Sequence, residues 1–267
     1  LDPPAPSAPR PTSPQPDRPV RSARVRVAIV WSYLLTTARV SSTILVTFLL
    51  AKLLGPAEFG LVAMATVFVV ITQTVVQQGI STALVQRDRL SEAHLQAAFG
   101  VLLLGGTAAS LLLAALSPLW ALVNRSPGLT AVCVALAPLV LIQALAAVPE
   151  ALLRRDLRFR ALAGRTLLAA VLSGIVGVSL ALAGAGVWAL VGQQVSNALV
   201  GLAVLWASSP WRPGRRLRLA GIGELWTFSA QSTSAGIAWL VGSRADVICA
   251  GIFFGPVATG IDRKSVV

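Results

Sequence analysis

The stretch that decides the fold is Arg39–Gly60, RVSSTILVTFLLAKLLGPAEFG. It is the second half of a long apolar run that ends in a Gly-Pro turn, and it carries one arginine. A Gly-Pro turn of the same spacing, Gly255–Gly260, closes another apolar run near the other end of the chain. A repeated helix and turn indicates a fold built from two related halves.

The composition around this stretch is that of a membrane protein. Hydrophobic residues make up 55% of the chain, charged residues only 12%, and the mean hydropathy is +0.77. Soluble domains contain about 25% charged residues. The net charge of +12 does not indicate a nucleic-acid partner, because the arginines form short clusters between apolar runs without interleaved aromatic residues. Basic loops beside membrane spans, in contact with membrane lipids, explain this pattern.

Seven apolar runs reach the roughly 20 residues that a membrane-spanning helix needs. They lie at 27–51, 61–84, 97–121, 129–148, 161–183, 186–206 and 226–254. Residues 1–26 carry eight prolines and five arginines, which predicts a disordered basic tail. The sequence therefore predicts an all-α polytopic membrane protein with about seven transmembrane helices.

The basic residues between these runs predict the orientation. Sixteen of them lie in the tail, in the even-numbered loops, or just inside the fifth run at Arg165, whereas the opposite side has only Lys52 and Arg125. Cytoplasmic loops are enriched in Lys and Arg. We therefore expect a cytoplasmic N-terminus in a bacterial inner membrane.

A polar stripe follows one face of the first predicted helix. Ser32, Thr36, Arg39, Thr43 and Thr47 are spaced by four, three, four and four residues, which places them in one narrow stripe. A cation within a membrane span indicates a functional site facing a water-filled cavity. The alternative is a structural role, in which Arg39 pairs or extends toward the interface while the hydroxyls bind backbone carbonyls.

Amides mark two further helices. Thr66, Gln73 and Gln77 share a face of the second helix, and Gln193 and Asn197 lie one turn apart on the sixth. These side chains either line the same cavity or form interhelical hydrogen bonds.

The seventh predicted helix carries Arg244 and Asp246, which lie two residues apart and so face different directions. Asp246 is a candidate for carrying a coupling ion or proton, or else a structural partner of an arginine. The lone histidine, His94, follows Ser91, the predicted N-cap of the third helix, and is expected to be solvated or interfacial. The sequence shows no catalytic constellation, metal cluster or cofactor motif. We expect neither enzymatic activity nor a cofactor.

Several short motifs resemble a known family. They are Leu53-Leu-Gly-Pro-Ala-Glu-Phe-Gly60, Ala83-Leu-Val-Gln-Arg87, the stretch from Pro149 to Phe159, Gly186-Val-Trp-Ala-Leu190 and Trp211-Arg-Pro213. In order and spacing they resemble the polysaccharide biosynthesis proteins, which are oligosaccharide flippases of the Wzx type in the multidrug/oligosaccharidyl-lipid/polysaccharide exporter superfamily.

The resemblance implies a transporter of twelve to fourteen helices, arranged in two lobes around a cavity as in the related multidrug exporters. Its cargo is an undecaprenyl-diphosphate-linked oligosaccharide, moved by alternating access during surface polysaccharide or lipopolysaccharide biosynthesis, with other polysaccharide-assembly proteins as partners. The diphosphate is an anion that cavity arginines suit. The candidate substrate-binding residues are Arg39, Thr36, Thr43, Gln73, Gln77 and Arg244, and the candidate ion-coupling residue is Asp246.

On this interpretation, residues 27–206 form a six-helix N-terminal lobe, 207–225 a basic cytoplasmic loop, and 226–261 the first helix of a second, incomplete lobe. Residues 262–267 resemble a sequencing artefact rather than natural protein. Two other functions remain open. A cation antiporter of the same superfamily needs an acidic cavity, and a membrane-embedded polysaccharide-assembly enzyme needs a large outer loop in a further segment.

Overall fold

The computed structural model describes residue 37 and residues 40–86 and 91–214. The predicted seventh helix and both terminal segments lie outside these residues. Within the described residues the chain is helical, with the following elements: α1 Val40–Leu53, α2 Pro56–Gln86, α3 Glu92–Val123, α4 Gly128–Leu136, α5 Pro138–Arg155, α6 Phe159–Leu182 and α7 Val187–Ser208.

Among the residues that the structure describes, five stretches are long and apolar enough to cross a membrane, which confirms the polytopic membrane fold. They are Pro56–Gln77, Glu92–Val123, Gly128–Arg155, Phe159–Leu182 and Val187–Ser208, and α1 is a shorter apolar helix before them. These six segments overlap the first six predicted runs.

The fourth span is interrupted in its first third, which the sequence analysis did not predict. It divides into α4 and α5 at Ala137, because Pro138 has no backbone N–H to continue the helical ladder. Ser110 of α3 donates a 2.8 Å hydrogen bond to the Ala137 carbonyl, so the break is held against a neighbouring helix.

A second proline, Pro118, lies inside α3 without ending it. Proline cannot donate to the carbonyl four residues earlier, which here belongs to Ala114. The buried Ser117 hydroxyl donates to that carbonyl at 2.7 Å instead. This bond replaces the missing main-chain bond and lets α3 continue through the proline.

Small residues bring the helices close together. A methyl group on Gly106 of α3 would lie 2.7 Å from the Ala144 Cβ of α5. One on Gly174 of α6 would lie 2.5 Å from a Val46 methyl of α1. These distances leave no room for a side chain, so the crossings depend on glycine.

At one end of the bundle, two of the family-like motifs meet. The Gly55 N–H donates to Glu58 Oε2 at 2.5 Å, which caps the start of α2. Gly186, between α6 and α7, has a φ of +56°, and a methyl group there would lie 2.9 Å from Glu58 Oε1. The Gly-Pro turn and the α6–α7 turn are therefore packed as one unit.

The opposite end carries the basic residues. Arg154 and Arg155 end α5, and Arg158 Nη1 reaches the Ser208 carbonyl at the end of α7 at 3.4 Å. Ser91 caps α3 as predicted, in a capping box with His94. The lone histidine therefore has a structural role at this end.

Candidate functional site

A cavity of about 220 Å³ lies between α2, α5, α6 and α7. It is lined by residues of all four helices: Thr66, Val69, Val70, Gln73, Leu139, Gln143, Arg165, Gln194, Asn197 and Ala198. Four amides, a hydroxyl and a guanidinium thus face a space inside a bundle whose outer surface is apolar. Within a membrane span such groups are costly unless they have partners or bind something.

One interhelical hydrogen bond connects the two helices that carry most of the amides. Gln194 Nε2 of α7 donates to Thr66 Oγ1 of α2 at 3.1 Å. The Thr66 hydroxyl in turn donates to the Val62 carbonyl one turn earlier, at 2.6 Å. These bonds fix the Gln194 side chain on the cavity wall.

The charged residue of the cavity lining, Arg165, belongs to a cluster with Glu150 and Arg154. Arg165 Nη1 donates to Glu150 Oε2 at 2.7 Å, and Arg154 Nη2 donates to Glu150 Oε1 at 2.6 Å. Each carboxylate oxygen thus has its own arginine, and the cluster retains one net positive charge. We call these three residues the charge cluster.

The charge cluster leads from the basic end of the bundle into the cavity. The side chain of Arg154 is 59% exposed, that of Glu150 25%, and that of Arg165 16%. Arg165 lies six residues after the start of α6, which places it about 9 Å inside the span at about 1.5 Å per residue. The cavity therefore has a cation at the side nearest the basic loops.

Gly201 of α7 makes room for the Arg165 guanidinium. A methyl group at Gly201 would lie 3.4 Å from Arg165 Nε and 3.6 Å from Nη2. Among the described residues, this guanidinium donates its hydrogen bond from Nη1 to Glu150. Guanidinium carries five N–H donors, so most of its capacity is directed away from the carboxylate.

Of the residues predicted to bind substrate, Gln73 lines the cavity. Gln77 lies one turn further along α2, and its buried Nε2 has no hydrogen-bond partner within the described residues. Thr43 lies on the exposed part of α1, and the lining given above includes no residue of α1 among those described. Arg39, Thr36, Arg244 and Asp246 lie outside the described residues. Substrate binding or ion coupling by these residues stays a prediction.

The amides of α7 are oriented differently from the predicted pairing. Gln194 and Asn197 face the cavity, whereas the Gln193 side chain lies against α6, where a methyl group on Gly177 would be 3.0 Å from its Cβ. Gln193 thus packs between α7 and α6.

Three polar lining residues were not proposed as site residues from the sequence, namely Gln143, Arg165 and Gln194. Arg165 was counted among the basic loop residues, although it lies well inside α6. An arginine this far past a helix start was the available signal, because snorkelling residues lie nearer to the ends. Gln143 is an isolated amide in an apolar run, and only the packing of α5 gives it a direction.

An aromatic cluster at the basic end connects the segment after α7 to α3. Trp211 lies in the segment after α7, and its ring centroid is 5.7 Å from that of Phe99 in α3, in an edge-to-face contact. Trp206 of α7 contacts both rings. A methyl group on Gly214 would lie 2.9 Å from Gln96 Nε2. The segment from Ser208 to Gly214 is therefore folded back onto the bundle.

Comparison with known proteins identifies similar sequences. Residues 49–265 match the family described as polysaccharide biosynthesis protein. The chain is 28% identical over 237 residues to the succinoglycan biosynthesis transport protein ExoT of Rhizobium meliloti (strain 1021), an alignment that covers 84% of this chain and 46% of the relative. The chain thus spans about half the length of that relative. No solved structure matches the chain.

Proposed function

Because the chain belongs to the polysaccharide biosynthesis protein family, we propose that the complete protein is a flippase that moves a lipid-linked oligosaccharide across a bacterial inner membrane. The family and the relative's name point to transport rather than to an enzyme. The finer proposal is that the cargo is an undecaprenyl-diphosphate-linked sugar used for surface polysaccharide or lipopolysaccharide. Other polysaccharide-assembly proteins are the proposed partners.

The observation that supports this proposal is the polar cavity with Arg165 in its wall, inside a bundle of membrane-length helices. Amides and a guanidinium are the groups that bind hydroxyls and phosphate oxygens. Its volume of about 220 Å³ is below the roughly 300–1,000 Å³ of pockets for drug-sized ligands. We therefore assign it to one group of the cargo and not to a whole oligosaccharide.

The remaining cargo contacts are assigned to the surface that this half of the protein presents to a second half. Thr43 is exposed on α1, one turn beyond Arg39 in the predicted stripe. On this proposal Thr36, Arg39 and Thr43 face the cargo from the first half, and Arg244 faces it from the next helix. Asp246 is the proposed ion-coupling residue.

The test is export of polysaccharide by cells that depend on the complete protein. Removal of the gene is expected to abolish surface polysaccharide and to leave lipid-linked oligosaccharide on the cytoplasmic leaflet, as measured by sugar analysis of whole cells and of spheroplast lipids. Arg39→Ala is expected to reproduce this defect at normal membrane levels of the protein.

Arg158→Gln is the matched control, because Arg158 is an exposed arginine at the basic end and does not line the cavity. It is expected to export normally. Unchanged export after gene removal would refute the flippase function. Unchanged export in Arg39→Ala would refute only the role of that residue.

A further inference from the structure

We infer that Arg165 is an anion-binding group that exchanges partners. It binds Glu150 when the cavity is empty, and it binds a phosphate or diphosphate group when one enters. Arg154 keeps Glu150 paired during the exchange. The identity of the anion as part of the cargo rests on the proposed function, whereas the exchange rests on the geometry of the charge cluster.

The first step is the position of Arg165 at the boundary between the carboxylate and the cavity. Its Nη1 bonds Glu150 at 2.7 Å, and Nε and Nη2 lie on the side of Gly201 in α7. Glycine at this position lets the guanidinium pack closely against α7, and the same guanidinium lines the cavity. An anion in the cavity can therefore meet the donors that Glu150 does not use.

The second step concerns the carboxylate that is left behind. A partly buried carboxylate that loses its only cation is strongly destabilised. Glu150 avoids this cost because Arg154 already binds its other oxygen at 2.6 Å. Arg154 lies one helical turn further along α5, at the exposed end, so it remains in place when Arg165 turns away. The cluster is thus able to release one arginine without leaving an unpaired charge.

The third step is the class of ligand. The cluster has two guanidinium groups and one carboxylate, so its net positive charge attracts an anion. Guanidinium binds phosphate oxygens through two parallel N–H bonds. The nearby amides Gln143 and Asn197 are donors to the remaining oxygens. A phosphate group fits this set, whether it belongs to a lipid-linked diphosphate or to a phospholipid headgroup.

The experiment is calorimetric titration of inorganic pyrophosphate into the complete protein in phosphatidylcholine nanodiscs without magnesium. The variants are Arg165→Gln, Glu150→Gln and Arg154→Gln, with Arg158→Gln as the control. We expect Arg165→Gln to weaken binding by about tenfold or more, the loss of a charged hydrogen bond. Arg158→Gln is expected to bind like the natural protein.

The two neighbours of Arg165 are expected to act in opposite directions. Glu150→Gln removes the internal competitor and should tighten pyrophosphate binding several-fold. Arg154→Gln leaves Arg165 as the sole partner of Glu150 and should weaken binding. A merely structural ion pair predicts no tightening in Glu150→Gln. Weaker pyrophosphate binding in Glu150→Gln would overturn the exchange. Pyrophosphate binding that Arg165→Gln leaves unchanged would overturn it as well.

Two further measurements complete the test. If Arg165→Gln does not accumulate, Arg165→Lys keeps the charge but loses the planar fork, and it should bind more weakly than the natural protein; equal binding would refute the exchange. Repeating the titration in phosphatidylglycerol nanodiscs distinguishes the sources of phosphate. If this lipid competes with pyrophosphate and the competition requires Arg165, the site binds a lipid headgroup. If the lipid does not compete, the site binds the diphosphate.

The outcomes also separate the exchange from the proposed function. Opposite effects of Glu150→Gln and Arg154→Gln, in a protein whose removal leaves export normal, would support the exchange and refute the flippase. Normal pyrophosphate binding in Arg165→Gln, in a protein that is required for export, would refute the exchange and leave the flippase intact.

Discussion

At the scale of single residues, the close helix crossings depend on glycines at positions where no side chain fits. Gly106 allows α3 to approach α5 so closely that an added methyl group would be 2.7 Å from the Ala144 Cβ. The neighbouring Gly105 has a different environment, since a methyl group there would lie 3.7 Å from Val76 Cγ1, an ordinary contact. Two adjacent glycines in one helix therefore have different structural roles.

Gly106→Ala is expected to lower the free energy of unfolding by about 1–3 kcal/mol, the cost of overpacking a tight contact. Gly105→Ala, the matched control, should be neutral or stabilising by up to about 1 kcal/mol, because alanine favours helix. Thermal unfolding of both variants in the same detergent measures the difference. Equal effects of the two substitutions would contradict the tight α3–α5 contact.

At the scale of the helices, prolines and hydroxyls act in pairs. Ser117 compensates for Pro118 inside α3, and Ser110 braces the break between α4 and α5 at Ala137. In hydrocarbon no water is present to satisfy a free carbonyl. Ser117 therefore supplies the donor that Pro118 cannot, whereas Ser110 ties the Ala137 carbonyl beside Pro138 to the neighbouring helix α3.

Ser117→Ala is expected to cost about 1 kcal/mol of stability, because the Ala114 carbonyl loses its donor. In a Pro118→Ala background the same change should cost much less, since residue 118 then has an N–H for that carbonyl. A double-mutant cycle of unfolding free energies measures this coupling. Additive effects would show that Ser117 does not substitute for the missing main-chain bond.

The spans could be predicted from the sequence because about 20 apolar residues carry that signal alone. The direction in which each amide side chain points could not be predicted. Gln193 and Gln194 differ by about 100° on the helix, and in a helix with apolar residues all around, the sequence does not reveal which face is buried. The break at Pro138 was missed for a related reason, since the apolar run continues through it.

At the scale of the whole molecule, most of the described basic residues lie at one end of the bundle. Arg154, Arg155 and Arg158 lie at one end of the bundle, with Arg212 of the following segment, and Lys52 lies near the other. The charge cluster extends the basic end inward, to the cavity. Arg165 could be counted correctly as a basic residue of that side, but its place in the cavity wall depended on how α5, α6 and α7 pack.

The proposed orientation can be checked with single cysteines in a background where Cys133 and Cys249 are replaced by alanine. Lys52→Cys is expected to react with a membrane-impermeant maleimide in intact spheroplasts. Arg158→Cys should react only after the membrane is opened, because we place the basic end in the cytoplasm. The reverse pattern of labelling would invert the orientation and refute a cytoplasmic N-terminus.

The folded-back segment from Ser208 to Gly214 also limits the reach of whatever follows it. The six residues that follow Ser208 would cover about 20 Å as an extended chain, at roughly 3.4 Å each. Trp211 holds them against Phe99, so this length is unavailable as a tether. On the proposed two-lobe arrangement, the second half is therefore attached near the start of α3, where Gly214 lies against Gln96, and its movements pivot about that point.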